Sequence, residues 1–241
     1  MMGLMNSPTY SQTRSALKTY FDRTAVDAWA KLTSDAKVSG IRETVRQGRE
    51  QMRTQLINWL PADLSNASLY DAGCGTGALA IDAARRGAVV TAVDLSPTLV
   101  ELAKERMPAN IGHGRITFVS GDMLSPEKEG LPEKYDFVVA MDSLIHYAPD
   151  DVVRALEQLT ARATSVVLFT FAPWTTLLAA MHHVGKAFPR SNRAPAIVPN
   201  KHSSLVAAIE EAPGLAGWQI GRTHRVDSGF YISQALELVK Q

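Results

Sequence analysis

The stretch DAGCGTG, from Asp71 to Gly77, sets three glycines two residues apart directly behind the apolar run SLY. Glycines let a backbone turn sharply and approach a ligand closely, and the helical pattern that follows brings a helix amino terminus to the same place. The spacing is G-x-G-x-G, whereas dinucleotide-binding loops have G-x-G-x-x-G and no acid two residues before it. Because a carboxylate at Asp71 would repel a pyrophosphate and attract a cation, the loop favours S-adenosylmethionine, whose sulfonium and α-ammonium are both positive.

Short apolar runs alternate with helical patterns from residue 68 onward. The predicted strands are SLYDAG, AVVTAVD, RITFVSGD, YDFVVAMD and SVVLFTFA, and helical patterns such as ALAIDAARRG, SPTLVELAKERM and PDDVVRALEQLTARA separate them. This alternation predicts an α/β fold with a parallel sheet that helices cover on both faces. Ligands of such sheets bind at the carboxyl ends of the strands, so the residues just behind each strand are the candidates for a site.

Acids also follow the second and third predicted strands. Asp94, with Leu95 behind it, stands where a carboxylate accepts hydrogen bonds from two ribose hydroxyls, in nicotinamide and S-adenosylmethionine sites alike. Asp122 offers a carboxylate to the adenine amino group, and Met123 offers an apolar contact to the ring. Either acid alone could merely cap a helix, but the ordered set is typical of class I S-adenosylmethionine-dependent methyltransferases. The predicted cofactor-binding residues are Asp71, Gly73, Gly75, Gly77, Asp94, Leu95, Asp122, Met123 and Met141.

Composition limits the alternatives. The 241 residues, 46% hydrophobic and 20% charged, suit one well-filled domain. Lys and Arg number 25 against 24 Asp and Glu, so no net field attracts nucleic acid. A single cysteine excludes an internal disulfide, and the start MMGLMNSPTYSQT lacks the features of a signal peptide. We therefore expect a cytoplasmic protein whose membrane contact, if any, is peripheral.

The first sixty residues have helical patterns. Gly48 interrupts an apolar face made of Ile41, Val45, Met52, Leu56 and Leu60. Arginines 42, 46, 49 and 53 form a stripe at helical spacing, which predicts a solvated face, with an acidic partner or a membrane surface as the alternative.

The segment MDSLIHY, behind the fourth strand, bears on the methyl acceptor. It lacks the Asn/Asp-Pro-Pro-Tyr signature of exocyclic-amine methylation, and the only cysteine lies in the glycine loop, where it cannot serve cytosine-C5 chemistry. Nucleic acid is therefore not the expected acceptor. His146 is predicted to lie near the acceptor, the alternative being a packed or helix-capping imidazole.

Three groups of residues resemble one family closely. They are Tyr20-Phe21-Asp22-x-Thr24-x-x-Asp27-x-Trp29, Asp142-Ser143-Leu144-Ile145-His146-Tyr147, and the Ala172-Pro173 and Phe188-Pro189-Arg190 segment followed by Ser228-Gly229-Phe230-Tyr231. From about Tyr20 to Val239 the chain is similar to magnesium-protoporphyrin IX O-methyltransferases of the bacteriochlorophyll pathway. The resemblance implies a Rossmann-like seven-stranded sheet of order 3-2-1-4-5-7-6. It also implies methyl transfer from S-adenosylmethionine to a propionate of magnesium protoporphyrin.

By the same resemblance, Tyr20 and His146 are the expected catalytic residues. The expected substrate-binding residues are Tyr20, Trp29, His146, Tyr147, Arg190 and Arg193. Residues 1–65 are expected to form a helical amino-terminal arm and residues 66–241 the core, with 172–203 as a lid or substrate wall. No metal is expected on the protein itself, because the magnesium arrives inside the macrocycle. One departure is Trp174, which stands where the family often has a basic residue.

Other interpretations are open at this point. A methyltransferase for another carboxylate or a phenol would keep the same cofactor acids. A nicotinamide-dependent oxidoreductase is disfavoured by the glycine spacing. A non-catalytic cofactor-binding partner of the magnesium chelatase large subunit would bind the cofactor without turnover.

Overall fold

The computed structural model describes residues 8–24, 33, 40–126, 129–175 and 196–241. Its helices are α1 (Pro8–Thr19), α2 (Gly40–Trp59), α3 (Ala78–Arg85), α4 (Pro97–Glu105), α5 (Pro149–Arg162) and α6 (His202–Glu211), with a π-helical turn at Tyr20–Thr24 and a 3-10 turn at Pro213–Leu215. Its strands are β1 (Ser68–Ala72), β2 (Val89–Asp94), β3 (Arg115–Ser120), β4 (Tyr135–Ala140), β5 (Ala163–Phe171), β6 (Trp218–Ser228) and β7 (Tyr231–Lys240).

The seven strands form one sheet in the order β3-β2-β1-β4-β5-β7-β6, which confirms the predicted order. β1 to β5 run parallel to one another, and β7 pairs antiparallel with both β5 and β6. Ala72 pairs with Val93 and Asp94 pairs with Ser120, so the first three strands end level with one another. The residues behind them therefore meet at one edge of the sheet, where the order reverses between β1 and β4.

Local signals begin the helices on either side of that edge. The Ser96 side chain accepts a hydrogen bond of 3.2 Å from the Leu99 amide and caps α4. α5 begins at Pro149, whose fixed φ suits the first helical position, and Asp150 and Asp151 follow in its first turn.

The strands feed two apolar cores, one on each face of the sheet. Val138 and Ala140 of β4 belong to one cluster, whereas Val139 and the following Met141 belong to the other. Alternate residues of a strand point to opposite faces, and both faces here are buried. The near-continuous apolar runs in the sequence reflect this double burial.

The amino-terminal helices contribute to both cores. Tyr10 and Leu17 of α1 join the cluster that contains α5, whereas Met52 and Leu56 of α2 join the cluster that contains α3. The two described helices of the arm therefore pack on opposite faces of the same sheet.

The arginine stripe of α2 is not simply solvated. Arg49 forms an ion pair with Asp142 at 2.6 Å, and Arg53 forms one with Asp82 at 2.8 Å. The expectation of a solvated face was wrong for these two arginines, because sequence periodicity could not place the acids of distant segments opposite them. Arg42 is exposed, and so is Ile41, which was expected on the apolar face.

Several predicted features lie outside the described residues, namely Trp29, Arg190, Arg193 and positions 176–195 of the 172–203 segment. The two ends of that segment are described and pair with each other: the Trp174 amide donates to the Asn200 carbonyl, and the Asn200 amide donates to the Ala172 carbonyl, each at 2.8 Å. None of the helices among the described residues is long and apolar enough to cross a membrane.

We predict that Gly48→Ala destabilises the fold although alanine is the better helix former. A Cβ at Gly48 would lie 2.8 Å from the Tyr231 Cβ, so the substitution overpacks the contact between α2 and β7. The expected loss in the free energy of unfolding is about 1–3 kcal/mol, measured by urea denaturation. Gly40→Ala is the matched control, because nothing lies near a Cβ there and its effect should be neutral or stabilising. Equal midpoints for the two variants would contradict the packing argument.

Candidate functional site

A cavity of about 310 Å³ opens at the carboxyl edge of the sheet. Asp94, Leu95 and Met123, the residues predicted to contact the nucleoside part of a cofactor, are among the residues that line it, and we call their part of the cavity the cofactor end. Tyr20 and His146, the residues predicted to act at the acceptor, line the same cavity, and we call their part of it the acceptor end. Of the predicted cofactor residues, Asp71, Gly77 and Asp122 are not among those that line it.

The glycine loop also contributes to the wall of this cavity. Gly73, Gly75 and Gly77 have positive φ angles of 87°, 54° and 79°, which side chains other than glycine rarely adopt. Gly73 and Gly75 line the cavity. Gly77 instead stands at the start of α3, and a Cβ there would meet the ring of Phe118 at 2.9 Å. Gly77, which was predicted to bind the cofactor, is not among the residues that line this cavity, and its contact with Phe118 indicates a role in packing the loop.

Asp71 lies at the bottom of the loop and is only 1% exposed. Its Oδ2 and the Ser143 Oγ are buried without a hydrogen-bond partner among the described residues. Burial, and then the nearby Asp94 carboxylate, raise the pKa of Asp71 to about 7. A buried carboxylate in this state is stabilised by a cation, so the orphaned oxygen fits the α-ammonium or sulfonium of S-adenosylmethionine.

Asp94 is held by the loop that it faces. Its Oδ2 accepts from the Gly75 amide at 2.8 Å, and its Oδ1 accepts from the Ser96 amide at 2.9 Å. Burial raises the pKa of this carboxyl too. Each oxygen keeps a second lone pair, which is the arrangement required to accept from two vicinal ribose hydroxyls.

Asp122 binds two side chains of α1 and so attaches the amino-terminal arm to the core. Its Oδ1 accepts from the Tyr10 hydroxyl at 2.8 Å and the Leu124 amide at 3.0 Å, and its Oδ2 pairs with Arg14 at 2.6 Å. Three donors leave one of roughly four lone-pair sites for an adenine amino group. The predicted adenine acid is therefore also the anchor of α1, a role that sequence alone did not reveal. Met123, next to it, is buried and lines the cavity.

A second pocket of about 240 Å³ adjoins the first, and Gly73, Arg49 and Met141 line both. Asp71 and three arginines of α2 stand on its walls. An acid opposite arginines complements the ammonium and carboxylate of an α-amino acid, so this pocket suits the methionine end of the cofactor.

Asp142, directly behind β4, was not predicted as a site residue. It has a φ of 55°, and its side chain is 5% exposed. Its carboxylate accepts from Arg49 at 2.6 Å, from the Tyr231 hydroxyl at 3.0 Å and 3.1 Å, from Thr170 at 3.2 Å and from Ser233 at 3.4 Å. Burial raises the pKa of Tyr231 well above its usual value, which keeps the hydroxyl protonated as a donor.

The turn at Asp142 sets the position of the residues that follow it. A Cβ at Gly73 would collide with the Cβ of Ser143, so the post-strand segment lies directly against the glycine loop. The rule that ligands meet the residues behind a strand could have found Asp142. Its partners on α2, β5 and β7 could not be found that way, because each is distant in sequence.

At the acceptor end, the His146 Nδ1 lies 3.2 Å from the Ala196 carbonyl oxygen, and the Val198 amide donates to the Ile145 carbonyl at 2.8 Å. The end of the 172–203 segment is thus paired with the segment that carries His146. A carbonyl can only accept, so Nδ1 carries the proton and the neutral ring has its lone pair on Nε2.

The arm supplies the opposite wall. Tyr20 is half-buried, packs edge-on against Phe21, and has a pKa raised by burial. Tyr147 is buried, and its ring stacks on Tyr10 with 4.9 Å between centroids. Asp22 accepts a hydrogen bond of 2.6 Å from Ser96, so the arm is also attached beside Asp94.

Comparison with protein families agrees with this geometry. Residues 140–240 match the magnesium-protoporphyrin IX methyltransferase C-terminus family, and residues 69–164 match a methyltransferase domain family. The chain is 45% identical over 229 residues to the magnesium-protoporphyrin O-methyltransferase of Rhodobacter capsulatus, covering 95% of this chain and 97% of that protein. It is 30% identical to the magnesium-protoporphyrin O-methyltransferase of Synechocystis, covering 94% and 96%.

Solved structures give the same result. The crystal structure of magnesium protoporphyrin IX methyltransferase from Synechocystis with bound S-adenosylhomocysteine superposes with a TM-score of 0.80 at 28% identity, covering 95% of this chain and 100% of that one. The corresponding structure with bound S-adenosylmethionine has a TM-score of 0.77 at 26% identity, covering 95% and 97%.

We predict that affinity for S-adenosylmethionine depends on the ionisation of Asp71. The ionised carboxylate pairs with the cation, so binding lowers a pKa of about 7, and affinity is fully present above that pH and falls below it. The Kd should rise about tenfold per pH unit between about pH 6.5 and 5.5, where an α-ammonium stays protonated. Isothermal titration calorimetry measures this slope. Asp71→Asn should remove it, whereas Asp63→Asn, at an exposed loop acid, should keep it. A Kd that stays constant in the native protein would refute the assignment.

Proposed function

The chain belongs to the magnesium-protoporphyrin IX methyltransferase family, and on that premise we propose how its residues transfer the methyl group of S-adenosylmethionine to a propionate carboxylate of magnesium protoporphyrin IX. It is an S-adenosylmethionine-dependent O-methyltransferase whose products are the monomethyl ester and S-adenosylhomocysteine. The observation that carries the residue assignment is the single cavity that joins Asp94 to Tyr20 and His146.

The cofactor is assigned to residues at one end of that cavity. Asp71 would hold the cationic methionine end, Asp94 the ribose hydroxyls, and Leu95, Met123 and Met141 the apolar faces of the nucleoside. When bound, S-adenosylmethionine supplies an electrophilic methyl on a positively charged sulfur.

The methyl transfer requires little proton abstraction by a general base. A propionate titrates like a glutamate, near pH 4 to 5, and is ionised at neutral pH. Its difficulty is hydration, because a solvated carboxylate is a poor nucleophile. The protein should therefore act by removing that water and aligning one oxygen with the methyl. The carboxylate oxygen forms the new bond to carbon, and the electron pair of the broken bond stays on sulfur.

His146 and Tyr20 are proposed to align the carboxyl group. The protonated Tyr20 hydroxyl can donate to a carboxylate oxygen. His146, whose Nδ1–H points to the Ala196 carbonyl, accepts a proton at Nε2 when the propionic acid form binds, and donates from Nε2 only as an imidazolium.

The arm and the segment after β5 are proposed to cover the site. We propose residues 1–65 as the arm and 66–241 as the core, with 172–203 as the cover. Support comes from the Tyr10 hydrogen bond to Asp122 and from the pairing of Ala196 with His146. Trp29, Arg190 and Arg193 stay proposed substrate contacts, and Tyr147 joins them from the cavity wall.

The proposal needs no further partner for three arginines of the stripe, Arg46, Arg49 and Arg53. Arg49 and Arg53 are paired within the molecule, and Arg46 lies 3.5 Å from Glu43. Their charges are therefore explained without a membrane surface or the magnesium chelatase large subunit.

The activity is tested with methyl-labelled S-adenosylmethionine and magnesium protoporphyrin IX, beside metal-free protoporphyrin, a phenolic acceptor and a sample without acceptor. We expect labelled monomethyl ester from magnesium protoporphyrin and none without acceptor. Label on the phenol alone would redirect the acceptor assignment. Cofactor binding without any labelled product would replace the enzyme proposal with a binding role.

We predict that His146→Ala lowers kcat about 10- to 100-fold, less than the loss typical of an obligatory general base, because the propionate is already ionised. The Kd for S-adenosylmethionine should change less than twofold, since the lost group acts at the acceptor. His113→Ala, at an exposed loop histidine outside the cavity, is the control and should leave both constants unchanged. If the rate changes with pH near about pH 6.5 in the same way in His146→Ala and in the native enzyme, that pH dependence does not come from the His146 imidazole.

A further inference from the structure

Phe230 is a large apolar side chain that the fold leaves 47% exposed in the wall of the cavity that Tyr20 and His146 also line. Ile145 and Ile197 line the cavity as well, and Ile197 is 37% exposed. One exposed apolar residue on a surface needs no explanation, but an exposed aromatic ring beside other apolar residues in a concave site marks a binding surface.

The backbone on both sides of Phe230 is fixed. Ser228 donates to the Thr44 carbonyl at 3.2 Å, and the Phe230 amide lies 3.5 Å from the Thr44 Oγ1. Gly229 has a φ of 60°, and a Cβ there would lie 2.9 Å from the Thr44 Oγ1. Tyr231, on the other side, is buried and donates to Asp142. The turn between β6 and β7 is thus attached to α2 and to the segment behind β4.

A fixed turn presents the Phe230 ring at a defined place at low cost in conformational entropy. The family substrate is a wide, flat, apolar macrocycle, whereas a phenol or a small carboxylate offers a much smaller face. Offset stacking of flat rings is favourable and specific in geometry. Asp94 and the glycine loop line the same cavity and are assigned to the cofactor, so the apolar part of the wall that includes Ile145, Ile197 and Phe230 is left for the macrocycle.

We propose that Phe230 forms one wall of the macrocycle site and determines specificity for large planar acceptors. This inference rests on the proposed function and adds a substrate contact that neither the family resemblance nor the cavity acids assign. Phe230 is a recognition residue here and takes no part in bond making.

The test compares Phe230→Ala and Phe230→Trp with Met107→Ala, a residue of similar exposure (44%) outside the cavity. For the full-length enzyme we expect Phe230→Ala to raise the KM for magnesium protoporphyrin IX about tenfold and to change kcat less than threefold, the size of one lost aromatic contact. Phe230→Trp should stay within about threefold of the native KM, because the aromatic face is kept. Met107→Ala should match the native enzyme. The Kd for S-adenosylhomocysteine should be unchanged in all three.

Two results would overturn the proposal. One is an unchanged KM in Phe230→Ala. The other is a joint loss of kcat, S-adenosylhomocysteine affinity and Tm, which would mean that the ring only stabilises the turn.

Direct titration of magnesium protoporphyrin into the S-adenosylhomocysteine complex separates this inference from the proposed function. If the native protein forms no ester but Phe230→Ala still binds porphyrin more weakly, the result would support Phe230 as a porphyrin contact and contradict the proposed methyl transfer. Normal ester formation by the native protein, together with equal porphyrin affinity in the native protein and in Phe230→Ala, would support the activity and contradict the role of Phe230.

Discussion

The buried carboxylate of Asp142 is the constraint on which the site depends. It stands in a left-handed backbone conformation that costs of order 1 kcal/mol or more for a residue other than glycine, and donors from α2, β5 and β7 stabilise it there. Removing one partner of such a buried ion pair typically costs about 3–5 kcal/mol, because the remaining charge is left without compensation. The turn that brings Ser143 against the glycine loop therefore depends on three distant elements at once.

The described part of the amino-terminal arm is bound at or beside acids that are proposed to contact the cofactor. Tyr10 and Arg14 contact Asp122, and Asp22 contacts Ser96 beside Asp94. A cofactor that binds behind β2 and β3 meets the same groups that hold α1 in place. Cofactor binding and arm position are then linked physically, since they share hydrogen-bonding partners and a wall of the cavity.

The two ends of the cavity have different physical tasks. In the proposed binding mode, buried acids at the cofactor end replace the hydration of a cation. At the acceptor end, apolar and aromatic residues can exclude water from a carboxylate whose reactivity is limited by hydration. The tautomer of His146 is set by the Ala196 carbonyl, so the described end of the 172–203 segment also orients a side chain of the proposed site.

Local periodicity, and the rule that sites lie behind parallel strands, were enough to predict the alternation of strands and helices, the glycine loop, the acids at the ends of β1, β2 and β3, and the place of His146 after β4. The strand order was predicted from the family resemblance and is confirmed. The tertiary structure decided that Arg49 and Arg53 turn inward, that Asp122 holds the arm, and that Asp142 joins four elements. Each of these depends on side chains from segments far apart in the chain, such as Arg49 and Asp142, and on the pairing of charges across an interior. Local patterns carry no information about which distant acid faces a given arginine; packing of the whole sheet and its helices decides that.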